Sequence, residues 1–238
     1  MSGQYLYISW ANWLGARVAE LLDAAVRSSY ADHARCFYSG EIREGAEWFR
    51  LNEAALDSAT AAVVLLTSDG LRSHWQAYEL GRLRRRCSPC VLLLVDLPAD
   101  ALGSSAYAHL NCSTPTNEVL LSVVRAGKDA DGIGEDELGY LTEQEAVQDF
   151  GSKLRHLLDA FAHLQRYKAV NGRSEADRIA RFMHLQKVVH GFCSAGLSIQ
   201  KISDKLRAEH VPGAAYIDFF QASPCNTSPR VDWPRSVG

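Results

Sequence analysis

The sequence predicts an α/β protein, with a central parallel sheet flanked by helices and a further α-helical region at its C-terminal side. Three observations carry this prediction. The runs "AAVVLLTS" (61–68) and "CVLLLVDLP" (90–98) are apolar throughout rather than alternating, as in strands covered on both faces. Segments of helical periodicity stand between the strand candidates, so successive strands are joined by crossovers long enough to hold a helix. From residue 142 onward the strand signals stop and only helical periodicity remains.

In chain order, "YLYIS" (5–9) is a strand and "WLGARVAELLDAAV" (13–26) a helix, with Leu14, Val18, Leu21, Leu22 and Val26 on one side. "ARCFYS" (34–39) is a weaker strand signal, and "EWFRLNEAALDSA" (47–59) is helical. After the buried strand 61–68 comes "SHWQAYELG" (73–81), where Ser73 and Gln76 are arranged as a capping box and the helix runs on into Arg82, Arg84, Arg85 and Arg86. Strand 90–98 ends at Pro98, "YAHLNCS" (107–113) is a short strand, and "TNEVLLSVVRAG" (116–127) is a helix stopped by Gly127. Right-handed crossovers then place helices on both faces of the sheet. The acidic, Gly-bearing stretch 128–141 reads as a linker, residues 142–212 as a helical region and 213–238 as an irregular tail, whose last 17 residues hold three of the seven prolines. The domain reading is therefore 1–127, 128–141, 142–212 and 213–238.

Composition narrows the classes. Of 238 residues, 47% are hydrophobic and 22% charged, as in ordinary globular proteins. No apolar run approaches the roughly 20 residues of a membrane span, and the first residues lack the pattern of a signal peptide, so the expected location is cytoplasmic, with no membrane partner. The net charge of −3 conceals an asymmetry: residues 1–150 carry 12 Lys/Arg against 21 Asp/Glu, whereas 151–210 carry 11 against 5. Such blocks bear on partners more than on fold.

The six cysteines are scattered, which favours free thiols over a disulfide framework. Cys87 and Cys90 with His109 and Cys112 imitate a zinc spacing, yet the buried strand between the pairs argues for plain buried thiols, and no metal is expected. Asp129, Asp131 and Gly132 begin like a calcium loop, but the later ligand spacing fails.

In doubly wound sheets, ligands bind beyond the carboxyl ends of the strands. The segments there are Trp10–Asn12, Gly40–Trp48, Ser68–Trp75 and Leu97–Ala101. In order and spacing, "YISW" (7–10), "SGEIREGAEWFRLNEAALDSA" (39–59), "VVLLTSDGLRSHWQAYELG" (63–81) and "VLLLVDLP" (91–98) resemble the Toll/interleukin-1 receptor (TIR) domain of bacterial type, over roughly residues 4–126. The resemblance implies a flavodoxin-like TIR fold. It implies cleavage of NAD+ at the nicotinamide–ribose bond, giving ADP-ribose or a cyclic isomer, in anti-phage defence and with no cofactor besides the substrate. The family's catalytic glutamate falls on Glu79 in the Trp75-x-x-x-Glu79 helix.

A sparse motif suits that chemistry. Nicotinamide is cationic in NAD+ and departs neutral, so no general acid is needed. The ribose left behind is oxocarbenium-like, and one carboxylate can stabilise it. Trp75, Trp48 and Trp10 are then candidates to wall the pocket or stack on a ring. Ser9 is a candidate to meet the ribose, and Arg43 to meet a phosphate. On this reading Glu79→Ala abolishes nicotinamide release with stability near wild type. The competing bland reading makes Trp75 a core residue and Glu79 a solvated partner of Arg82, worth only about 0.2–0.5 kcal/mol. His74 reads as surface filler, and Arg84–Arg86 as a solvated helix end.

Departures from the family pattern are "WANWLG" in place of the usual acidic or serine-rich turn after "YIS", and His74 before the tryptophan. "GLSIQKISDKLRAEHVPG" (196–213) resembles part of a serine-recombinase helix-turn-helix, without an evident recognition helix. Nucleic acid is nonetheless not expected as a partner. The stripe Leu154, Leu157, Leu158, Phe161 and Leu164 points instead to self-association or a defence-system partner protein. A non-catalytic TIR-type adaptor docking through the 40–48 loop is the rival function, and a DNA-associated regulator the third.

Overall fold

A computed structural model describes residues 5–30, 36–38, 47–103, 105, 107–131, 139–170 and 174–211. Five strands, β1 (Tyr5–Ser9), β2 (Cys36–Phe37), β3 (Ala59–Leu66), β4 (Cys90–Leu94) and β5 (Cys112–Ser113), form one sheet in the order β2-β1-β3-β4-β5. Every neighbouring pair is parallel. Helices α1 (Asn12–Tyr30), α2 (Glu47–Ser58), α3 (His74–Arg86) and α4 (Asn117–Asp131) accompany the strands. Three more follow: α5 (Glu143–Ala169), α6 (Glu175–Ser194) and α7 (Ile199–Ala208). The expected α/β architecture with a parallel central sheet is present.

Both faces of the sheet are covered, which is why its strands lack polar alternation. Tyr7, Val64, Leu66, Leu92 and Leu94 pack with Leu56 of α2 and with Leu80 and Leu83 of α3. The intervening residues Leu6, Ile8, Val63, Leu65 and Leu93 are equally buried, on the side occupied by α1 and α4. Fully burying a Leu or Val side chain contributes about 1.5–3 kcal/mol. The continuous apolar runs are therefore the main source of stability here.

Gly127 does not end its helix; α4 continues to Asp131. Its role is close approach: a Cβ there would lie 2.9 Å from Val26 Cγ1 of α1 and 3.8 Å from Leu6 Cδ2. The missing side chain lets α4 settle onto α1 and the sheet, and this offsets the roughly 1 kcal/mol that a mid-helix glycine costs. A second glycine serves the same purpose. Gly139 N donates to Ser29 O at 2.7 Å and Leu141 N to Ser28 O at 3.0 Å, so this stretch satisfies carbonyls at the end of α1. A Cβ on Gly139 would overlap the Ser28 carbonyl.

That contact carries the chain into α5. Glu143 accepts from Tyr30 Oη at 2.5 Å and from Arg125 Nε at 2.7 Å. Burial opposes the ionisation of Glu143, but these two hydrogen bonds outweigh it and hold the carboxyl below its usual range.

The chain forms two compact units, Met1–Leu154 and Arg155–Gly238. In the second, Leu157, Leu164, Val188, Phe192, Ile202 and Leu206 are buried. Of the stripe singled out in the sequence, Leu154, Leu157 and Leu164 are buried, while Leu158 and Phe161 are half-buried. Ser174 and Asp177 form a reciprocal capping box at the start of α6. α7 is capped by Ser198, whose hydroxyl accepts from Lys201 N. Among the described residues no helix is long and apolar enough to cross a membrane. The segment 132–138 of the expected linker and the tail 213–238 lie outside the described residues.

Candidate active site

The site is set by the way α3 starts. Ser73 Oγ accepts from Gln76 N at 3.1 Å, which is half of the expected capping box. The other half is absent: Ser73 N donates to Gly70 O at 2.9 Å, and the Gln76 side chain is fully buried. Gln76 Nε2 donates to Leu65 O at 2.8 Å and approaches Ser9 O at 3.5 Å. The first turn of α3 is thereby tied to the carboxyl ends of β3 and β1. One turn on, at i+3 from Gln76, Glu79 is carried to the same face and against the end of β1.

Glu79 is only 2% exposed and its carboxylate accepts from four side chains of its own chain. Oε1 receives Tyr7 Oη at 2.8 Å, Asn52 Nδ2 at 3.0 Å and Trp75 Nε1 at 2.6 Å. Oε2 receives Ser9 Oγ at 2.6 Å. Tyr7 Oη also lies 2.8 Å from Asn52 Oδ1, so its single hydrogen is shared between two acceptors. Burial first, and the neighbouring Glu79 charge second, push the Tyr7 phenol far above its ordinary range, so it stays a donor at any working pH.

This geometry overturns the surface reading of Glu79. The carboxylate is neither solvated nor paired with Arg82. That guanidinium turns the other way, to Glu53 Oε2 at 2.7 Å, Asp57 Oδ1 at 2.5 Å and Tyr78 Oη at 2.8 Å. It also overturns the expectation that Glu79→Ala would be structurally silent, since truncation would take the carboxylate from Ser9 Oγ, Asn52 Nδ2 and Trp75 Nε1 and leave Tyr7 only Asn52 Oδ1.

Of the predicted site residues, the structure brings together Glu79, Ser9, Trp75 and Trp48. Ser9 ends β1 and is buried, but its hydroxyl is engaged with Glu79. Trp75 is half-buried rather than part of the core, and its ring lies 5.0 Å from that of Trp48, 5.7 Å from Phe49 and 5.3 Å from Tyr78, centroid to centroid. Phe49 and Tyr78 are 53% and 41% exposed, so this aromatic group opens to solvent while its indole N–H reaches the buried carboxylate. Trp10 stands apart from the carboxylate network; it is half-buried, and its indole N–H finds no partner among the described residues. Arg43 lies outside the described residues. His74 is exposed, as are Arg84, Arg85 and Arg86.

Sequence reading missed Tyr7 and Asn52. Both were detectable. Asn52 shares the i, i+3, i+4 face with the buried Ala55 and Leu56, and Tyr7 puts a hydroxyl into a strand buried on both faces. Asn12 was missed as well. It begins α1 at φ 62°, donates to Thr67 Oγ1 at 2.7 Å and caps Gly15 N at 3.0 Å, joining the ends of β1 and β3.

Among the described residues Cys36 and Cys87 are buried, and Cys90, Cys112 and Cys193 are half-buried. Burial pushes the Cys87 thiol up to about 11, and it donates weakly to Ala59 O at 3.6 Å. Among the described residues no three His, Cys, Asp or Glu side chains gather as a metal requires. Chemically, the site presents one anionic group, fixed by directed donors in a low-dielectric setting at the carboxyl edge of a parallel sheet. No protein-family model matches this chain, and no curated protein matches it.

Proposed function

We propose that this chain is a TIR-type protein of flavodoxin-like fold that cleaves the nicotinamide–ribose bond of NAD+, acting in the cytoplasm as part of anti-phage defence. The observation that carries the reading is the position of Glu79, a buried carboxylate at the end of β1, held by Ser9, Tyr7, Asn52 and the Trp75 indole. The strand order β2-β1-β3-β4-β5 adds support, because order reversal at β1 and β3 marks the crevice where doubly wound sheets bind ligands.

In this reading nicotinamide leaves as a neutral base and the ribose carbon becomes cationic. Glu79, already oriented, stabilises that charge through Oε2, the oxygen that receives one donor where Oε1 receives three. The half-buried rings of Trp75 and Trp48, tilted 47° to each other, offer aromatic surface for the departing base. Water, or another atom of the same dinucleotide, then captures the ribose. Assembly into oligomers, through the sheet unit and the C-terminal helices, completes the proposal.

One observation favours a second reading. Both carboxylate oxygens of Glu79 accept from side chains of β1, α2 and α3, as in a structural hub that joins these elements in an adaptor. The test is nicotinamide release from NAD+ at high substrate and protein concentration, including under crowding that forces assembly. Wild type should release nicotinamide, and Glu79→Gln, which keeps the shape of the side chain, should lower the rate at least about 100-fold. Release that never exceeds the blank leaves only the hub.

A further inference from the structure

Tyr107 has a buried hydroxyl that nothing described so far employs. The residue is 1% exposed, and its phenol oxygen has no hydrogen-bond partner among the described residues. Buried polar groups are almost always paired, and leaving one unpaired costs about as much as a lost hydrogen bond, so the exceptions call for a cause. Tyr107 packs in the same cluster as Tyr7, Leu80 and Leu83, on the face of the sheet that carries Glu79. Burial raises the Tyr107 phenol, and the Glu79 charge raises it further.

Its backbone setting differs from that of the other Glu79 neighbours. Tyr7 and Ser9 belong to β1, Asn52 to α2 and Trp75 to α3, all regular elements. Tyr107 sits in the connection after β4, where the described hydrogen bonds close locally: Ala101 N to Pro98 O, Ser105 N to Leu102 O, Ala108 N to Ser105 O and Leu110 N to Tyr107 O. Among its described residues, Leu102 and Tyr107 are the buried side chains that pack this connection into the cluster on the sheet.

We propose that the Tyr107 hydroxyl is a substrate-positioning donor that binds the ribose hydroxyl received by Glu79. The chemistry is complementary. A ribose hydroxyl that gives its hydrogen to the carboxylate keeps free lone pairs, and an unpaired phenol O–H supplies the donor they need. This inference rests on the NAD+-cleaving reading above.

Tyr107→Phe removes only the oxygen and is the test. The variant should melt at or above the wild-type temperature, because it loses an unpaired buried group, and its KM for NAD+ should rise about tenfold with kcat within about threefold. Tyr140→Phe, at an 83% exposed tyrosine, should change nothing. If Tyr107→Phe keeps both kinetic constants within about twofold of wild type, or if it melts well below wild type, the positioning role is overturned. Wild-type cleavage that Glu79→Gln abolishes would then leave the parent reading standing. Wild type that neither cleaves NAD+ nor is stabilised by it removes both together.

Discussion

Two polar clusters join α2 to α3 within one turn of each other, and they differ chiefly in burial. In the first, Asn52 and Glu79 meet at 3.0 Å, at 0% and 2% exposure, with Tyr7 and Ser9 completing the network from β1. In the second, Arg82 spans Glu53 and Asp57 with side chains 30%, 24% and 52% exposed. The second carries more formal charge, yet water competes for each of its contacts and salt screens them. The first has one formal charge in a place where no solvent can replace a lost partner. Polar contacts here matter by where they lie rather than by how many charges they join.

That difference can be broken at Glu79 first. Glu79→Ala should destabilise the protein by about 3–5 kcal/mol, because it strands buried donors as well as opening a cavity. For a chain of this size that is a fall in melting temperature of about 10 °C or more. A Glu79→Ala protein that melts within about 2 °C of wild type would show the network to be energetically idle.

An intermediate effect is expected in the second unit. His163, 5% exposed on α5, places its Nδ1 3.0 Å from Nδ1 of His184 on α6. One nitrogen must donate and the other accept, so a proton on both would destroy the bond. Burial lowers the His163 pKa; Asp159 opposes that shift, while Lys187, Arg166 and His184 reinforce it. The unfolded chain therefore takes up this proton more readily than the folded one. The contribution of His163 is fully present above about pH 6.5 and declines as pH falls through the folded value, by at most about 1.4 kcal/mol per pH unit. Denaturant titrations of wild type and His163→Leu between pH 7.5 and 5 check this. The wild-type slope should flatten in the variant, and equal slopes refute the assignment.

The smallest effect belongs to the exposed cluster. Arg82→Ala should lower the melting temperature far less than Glu79→Ala does, and the difference should shrink further in 1 M salt. A loss as large as that of Glu79→Ala would remove the distinction between the two clusters.

Legibility in the sequence followed the same line. The runs at 61–68 and 90–98 disclosed β3 and β4, because burial on both faces demands unbroken apolar chemistry that composition alone reveals. Gly127 was misread as a stop, since a glycine that ends a helix and one that admits a neighbouring helix look alike until Val26 is placed beside it. Gln76 likewise had a local role available at the start of α3. Its side chain left that role for the Leu65 carbonyl, a partner supplied by another element.

The sequence placed a strand over 107–113, whereas β5 spans only Cys112–Ser113. By itself it determined that strands alternate with helices, that a sheet precedes a purely helical region, and that Trp75 and Glu79 share one face of α3. Those follow from period, run length and capping, which are properties of neighbours along the chain. Only the tertiary structure decided that Glu79 points inward, that Tyr7, Ser9 and Asn52 converge on it from 27 to 72 residues away, and that Arg82 does not. The reason is physical: an i, i+4 spacing names a face of a helix, whereas burial and partners depend on what the rest of the chain packs against that face.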